Sequence, residues 1–447
     1  MTNFLVRILP SEETGPPATV LLDFAPGSPA ATIQTNASFF ANIAPPPQAV
    51  DLLMFGIAAY VADRVTPRAN ASDAWTRSLR LHLPVHDSAT WPTAEAEKTL
   101  GFLTGDLWEV HALPQNESRL APPAIAVARH PPQADAVCLF SGGLDSLCGV
   151  IDLLEEEPDR RLLLLSHYEG GQTPAAQSRL FKQLRARYGA RVLRQPLFLR
   201  PAPSDVAQAR PLPADAHENT SRSRSLLFLT SALALAASIG PNVPVYLPEN
   251  GYIGINVPLT RARSGSFSTR TTHPHFLQLL QHTTGTAGIG NPLLNPYRLR
   301  TKGEMLADSR NPELLHELAP LSISCSHPEV ARYAHRPQGN CGYCFPCLIR
   351  RAAMAHVGWD HPEGYSWDAL TDPDLLDVDS IRSADLRAVK IGTRAGRADR
   401  DALRNGPLPA GERSAFLDVW RRGNAEVSSW LTDGAQGALA KQLAAHT

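Results

Sequence analysis

The chain has almost no charge of its own. Its 42 lysines and arginines nearly cancel 43 aspartates and glutamates over 447 residues, leaving a formal net charge of −1. That balance excludes bulk electrostatic binding to DNA or to an anionic membrane, although a local basic groove stays open. Long apolar runs are missing as well. The longest, SLLFLTSALALAASIG from Ser225 to Gly240, is shorter than the roughly 20 residues that cross a bilayer, and it reads as a buried helix. The opening MTNFLVRILPSEE lacks a basic-then-apolar leader with a small-residue cleavage site. Cysteines are scarce: there are six, and four of them crowd between Cys325 and Cys347. Such crowding fits a metal site in a reducing compartment better than a disulfide framework. The expectation is a cytoplasmic protein without a membrane span.

What the chain does contain falls into three stretches, since its length exceeds one ordinary core. Residues 1–125 mix strand-like runs (NFLVRIL, TVLLDF, RSLRLHLPV) with a helical pattern from Ala49 to Val65. They predict an α+β accessory domain, joined to the next by the proline-rich Pro122–Ala136. Residues 126–358 alternate short apolar strands with helical segments, which predicts βαβ units: an α/β fold whose parallel sheet carries helices on both faces. Residues 359–447 contain ERSAFLDVWRRGNAEVSSWL and GALAKQLAAH and predict a helical extension, with Trp420 and Trp430 as packing residues.

CLFSGGLDSLCGV, Cys138–Val150, stands where the first strand of the middle stretch meets a helix. In open α/β sheets that is where ligands bind. Gly142 and Gly143 let the backbone approach an anion closely, and the N–H groups of Ser141 to Ser146, Leu144 among them, form an anion nest at the helix start. Ser141 and Ser146 add hydroxyls, and Asp145 could hold Mg²⁺ or cap the helix. The bland alternative is a capped strand–turn–helix junction with no ligand. No Gly-Lys-Ser/Thr follows, so this is not a Walker A loop.

Cys325 lies sixteen residues before Cys341, and Cys341, Cys344 and Cys347 follow as C-x2-C-x2-C. Four thiolates so spaced predict a closed structural Zn²⁺ site. An iron–sulfur cluster, a catalytic persulfide thiol or a chance gathering of buried cysteines remain as alternatives.

SGGLDS resembles the pyrophosphate-binding loop of the PP-loop ATP pyrophosphatases, which activate a carboxylate or carbonyl oxygen with AMP. With C…CGxCxxCLxRR downstream, residues 135 to 357 resemble the 7-cyano-7-deazaguanine synthases (QueC). The resemblance implies ATP and Mg²⁺ as cofactors beside Zn²⁺, with Asp145, Lys302 (in NPYRLRTKGEML) and Arg224 (in SRSRSLLFLTSALALA) as catalytic residues. It places adenine contacts at His167 and Tyr168 in SHYEGGQ. It departs where the synthases carry Tyr-Pro-Asp-Cys-Arg: here the stretch is ENGYIGINVPLTRARSGSFSTRTTHPHF. Glu249, Asn250, Arg263, Arg270 and His273 are the substrate-binding candidates from it. Arg261 shares the loop, and His273 and His275 read either as substrate contacts or as a helix cap at Pro274. The enlarged layout resembles the QueC-like proteins of bacterial anti-phage operons. That implies adenylation of a 7-deazaguanine-type carboxylate, followed by amide or nitrile formation or by conjugation to a partner protein of the same operon. RNA thiolation and a non-catalytic nucleotide-binding scaffold are the other readings.

Overall fold

A computed structural model describes residues 2–7, 20–23, 31–36, 38–39, 42–114, 132–169, 172–202, 218, 222–259, 270–336, 338–377, 379–393 and 399–444. Strands β1 (Thr2–Arg7), β2 (Val20–Asp23) and β3 (Ala31–Thr35) come first. Helix α1 (Pro47–Val65), β4 (Ser78–Val85), α2 (Thr93–Thr104) and β5 (Leu107–Pro114) follow. Helix α1 opens on a proline, whose missing N–H costs nothing at that position. It buries every residue from Ala49 to Asp63, as a helix apolar on all sides must.

The middle stretch builds a parallel sheet. Its elements are β6 (Ala136–Leu139), α3 (Leu144–Glu156), β7 (Leu162–Tyr168), α4 (Thr173–Tyr188), β8 (Val192–Ala202), α5 (Arg224–Ile239) and β9 (Val245–Tyr246). Then come α6 (Gly251–Ile255), α7 (Pro274–Thr286), β10 (Leu293–Leu294) and α8 (Lys302–Ala307). The parallel strands lie in the order β10-β9-β6-β7-β8. Successive residues of β6 and β7 serve different cores. Val137, Leu139, Leu163 and Leu165 pack with α1 and α5, while Ala136, Cys138, Leu162 and Leu164 pack with α3 and α4. Both faces are therefore covered, which is why these strands read as continuous apolar runs.

The chain starts this sheet in the middle, winds outward through β7 and β8, then returns to place β9 on the other side of β6. The winding direction reverses between β6 and β9, so the loops after these two strands part and leave a crevice. On the far edge β8 pairs antiparallel with β3, and β2, β1, β4 and β5 continue a ten-stranded sheet. Residues on both sides of position 125 share one core with α1 and α5. A buried ionic cluster adds to that joint. Asp63 accepts from the Ser223 N–H (3.0 Å) and hydroxyl (2.6 Å), and Arg77 bridges Asp63 (2.5 Å) and Asp106 (2.6 Å).

Helix α9 (Phe345–His356), α10 (Ala384–Gly392) and α11 (Arg413–Asp433) form a further core with α6. Trp420 and the sulfurs of Cys341, Cys344 and Cys347 lie in it. Among the described residues, no helix is long and apolar enough to cross a membrane.

Candidate functional site

The turn after β6 is shaped by its sequence. Gly142 has φ +82°, where a side chain is strained, and a Cβ there would come within 3.0 Å of Gln177. The Ser141 hydroxyl donates to Ser146 Oγ (3.2 Å), which donates to the Gly143 carbonyl (2.9 Å). Asp145 follows in the first turn of α3 and is buried. Its Oδ1 lies 2.6 Å from the Lys302 ammonium, and its Oδ2 accepts from the Asn250 side-chain amide at 2.7 Å. Lys302 is equally buried and begins α8, held there by a reciprocal cap between Thr301 and Glu304. Asn250 caps α6 by accepting from the Ile253 N–H, and its amide also reaches Glu249 at 3.2 Å.

These groups meet in the crevice, at a cavity of about 270 Å³ lined by Ser141, Asp145, Ser146, Glu249, Lys302 and Ser324 among others. Burial opposes the charge on Asp145. The Lys302 ammonium overrides it, with hydrogen bonds from Glu249 and Asn250, and holds the Asp145 carboxyl below the usual range. Glu249 goes the other way. Burial first, and then the Asp145 charge, push it well above its ordinary 4.5.

A pH prediction follows. A carboxyl whose folded pKa is raised contributes stability that is whole below its unfolded value and is lost as pH climbs through the folded one. Glu249→Gln stays neutral throughout. Thermal melts of the two proteins should therefore separate as pH rises above 4.5, with the variant gaining on the wild type. Parallel curves from pH 4 to pH 9 would mean that Glu249 is ionised in the folded protein.

The other candidates stand elsewhere. His167, at the end of β7, accepts at Nδ1 from Arg224 Nε (3.2 Å), which leaves Nε2–H to donate to the Leu199 carbonyl (3.1 Å). Burial, helped by the Arg224 charge, lowers its pKa to about 3. Tyr168 packs on Phe198. Neither residue, nor Arg224, lines the cavity with Asp145; Gln177 connects the two places, donating to the carbonyls of Ser141 and His167 at 3.2 Å each. The Arg270 guanidinium sits 4.3 Å over the Phe102 ring and donates to its carbonyl. His273 caps α7, accepting from the His275 N–H, and also packs on Phe102. Arg261 and Arg263 lie outside the described residues.

Two contributors carry no sequence signal. Gln177 is one. Ser324 is the other: its hydroxyl accepts from the Leu144 N–H (3.1 Å), and the adjacent Ile323 N–H donates to the Gly142 carbonyl (2.9 Å).

Ser324 leads straight into the cysteines. The sulfurs of Cys325, Cys341, Cys344 and Cys347 all lie within 4.8 Å of one another. The Cys325–Cys344 and Cys341–Cys347 pairs are each 3.8 Å apart. A tetrahedron with Zn–S of about 2.3 Å has edges of about 3.8 Å, so the donors fit one zinc ion. Gly342 (φ +90°) makes the turn between the first two ligands of the triplet, where a Cβ would collide with the Trp367 carbonyl at 2.0 Å. Backbone N–H groups point at the sulfurs, Cys341 N to Cys325 and Cys344 N to Cys341, as in the outer shell of a thiolate site. Comparisons with protein-family models, curated proteins and solved structures found no match to this chain.

Proposed function

We propose that this protein is an ATP-dependent, C–N bond-forming enzyme of the QueC-like PP-loop class, most like the anti-phage defence protein QatC. It adenylates a 7-deazaguanine-type carboxylate. The observation that carries the reading is the buried Asp145–Lys302 pair beside the glycine turn at the β6/β9 crevice. A buried ion pair costs desolvation and is seldom retained for stability alone. ATP with Mg²⁺ would give each partner a new role: Asp145 would hold the divalent cation, whose chemistry is to neutralise the phosphates, and Lys302 would meet a phosphate oxygen. The substrate carboxylate oxygen attacks the α-phosphorus and pyrophosphate leaves. An amine then attacks the acyl carbon and AMP leaves. Lys302 and the turn N–H groups stabilise the charge that develops on phosphate; Arg224, bonded to His167 outside this cavity, takes no part in that task. The acceptor amine belongs to a partner protein, because the stretch Glu249–Phe276 departs from the synthase pattern.

RNA thiolation is less well supported. Cys138 and Cys148 are buried with thiols pushed up by burial, and the remaining four cysteines form the cluster. The test is incubation with ATP, Mg²⁺ and 7-carboxy-7-deazaguanine, with and without the neighbouring operon proteins, following AMP and intact protein masses. AMP release with a deazaguanine adduct on a partner is expected. Efficient release of free nitrile with every partner mass unchanged would replace conjugation by ordinary synthase activity, and no AMP at all would leave the scaffold reading.

A further inference from the structure

Helix α3 is capped from a distance. Gly143 precedes it and offers no side-chain cap. The acceptor for the Leu144 N–H is the Ser324 hydroxyl, 180 positions away. It serves one of the N–H groups that a helix start leaves without a partner. Ser324 is itself held from behind. Its N–H donates to the Asn340 side chain (2.9 Å), whose amide donates to the Ser322 carbonyl (3.0 Å). Ser324 adjoins Cys325 and Asn340 adjoins Cys341, so the segments that gather the four sulfurs also place this hydroxyl.

Ser141, Ser146 and Ser324 all line the small cavity. Two of these hydroxyls have spent their protons, Ser141 on Ser146 and Ser146 on the Gly143 carbonyl. The Ser324 proton has no acceptor among the described residues. Gly143 keeps the space beside it open. A Cβ there would come within 3.3 Å of Ser141 Oγ and 3.4 Å of Ser324 Oγ. Its φ of −86° suits any residue, so room between the two hydroxyls, and not backbone conformation, calls for glycine. A free O–H donor at the positive end of a helix, with Lys302 on the same cavity, fits a group that only accepts and carries negative charge. Phosphate oxygens are such acceptors. We propose that Ser324 is a phosphate-binding residue, donating its proton to a phosphate oxygen seated in the gap that Gly143 leaves. The inference rests on the ATP reading above and adds to it a contact from outside the SGGLDS turn. The bound phosphate then ties residues 141–146 to the cysteine segments, and order at one place strengthens the other.

A purely structural cap makes the opposite prediction. Were Ser324 there only to satisfy Leu144, its removal would free that N–H for the anion and leave affinity unchanged or improved. The experiment is calorimetric titration of the full chain with magnesium pyrophosphate and, separately, with ATP and Mg²⁺. Ser324→Ala should bind pyrophosphate roughly tenfold more weakly, the scale of a lost hydrogen bond to a charged group. Ser324→Thr, which keeps the hydroxyl, should recover most of that loss. Saturating pyrophosphate should also slow hydrogen exchange at residues 322–325 of the wild type and not of Ser324→Ala. The wild-type half of that comparison stands even if the alanine variant folds poorly. Pyrophosphate that binds Ser324→Ala as tightly as the wild type, or more tightly, overturns the assignment and leaves the ligase reading in place. So does binding to the wild type that leaves exchange at residues 322–325 unchanged. A wild type that binds neither ATP nor pyrophosphate overturns both.

Discussion

Cys344→Ser should yield a protein that is insoluble or melts far below the wild type. Cys344 is one of four sulfurs that fit a single zinc ion, and it begins the helix α9 that carries much of the C-terminal core. Structural zinc contributes roughly 10–16 kcal/mol of apparent binding free energy to small domains, comparable with the whole stability of a globular fold. Chelation should act beyond the cluster itself. Ser324 precedes Cys325 and accepts from the Leu144 N–H, so release of the metal should speed hydrogen exchange at residues 141–146 before the sheet opens. Metal analysis gives the first check: about one zinc per chain is expected. Freshly purified protein with no zinc and no iron, and a Cys344→Ser variant that melts like the wild type, would remove the metal centre.

The second large effect belongs to Lys302→Met. Alone it leaves the Asp145 carboxylate buried without its cation, a loss on the order of 3–5 kcal/mol for a buried pair. Asp145→Asn alone leaves the ammonium stranded and costs a similar amount. The double variant Asp145→Asn/Lys302→Met removes both charges and should regain most of the stability. Activity should not follow. All three variants should be without ATP-dependent AMP release, because each lacks the carboxylate for a divalent cation, the ammonium for a phosphate, or both. Chemical denaturation and an AMP assay on the same samples separate the two roles. A stable double variant that still released AMP at the wild-type rate would reduce the pair to a structural one.

The parts of this arrangement that the sequence made legible are local. Gly142 and Gly143 between an apolar run and a helix mark a tight turn at a strand end, and C-x2-C-x2-C with a cysteine upstream marks a thiolate cluster, which the sulfur distances support. The runs NFLVRIL, TVLLDF and RSLRLHLPV fall on β1, β2 and β4, and the helix expected from Ala49 to Val65 forms as α1. What escaped was long-range. Strands β3 and β5 lack a strong alternating pattern and were not anticipated. The raised pKa of Glu249 comes from burial and then from Asp145, about a hundred positions away, and no local pattern encodes it. Arg270 read as a clamp for phosphate or carboxylate from its Gly/Ser-rich arginine loop, and His273 read either as a substrate contact or as the cap of the helix at Pro274, which it forms. Their observed companion, Phe102, belongs to α2, far away in the chain.

The antiparallel joint between β3 and β8 has a consequence for how the protein is made. The Thr35 hydroxyl bonds the Phe198 carbonyl, so the two strands are separated by 163 positions. During synthesis β3 emerges early and can pair with β2 on one side only. Its other edge waits for β8, and at about 5–20 residues per second that interval is roughly ten to thirty seconds. An unpaired strand edge is a template for the wrong neighbour, including the same edge on another nascent chain of the polysome. The ribosome therefore exposes an open strand edge of this protein before the Asp145–Lys302 crevice exists. Yield in a heterologous host should depend more on chaperone supply and elongation rate across residues 36–200 than on the stability of the finished fold.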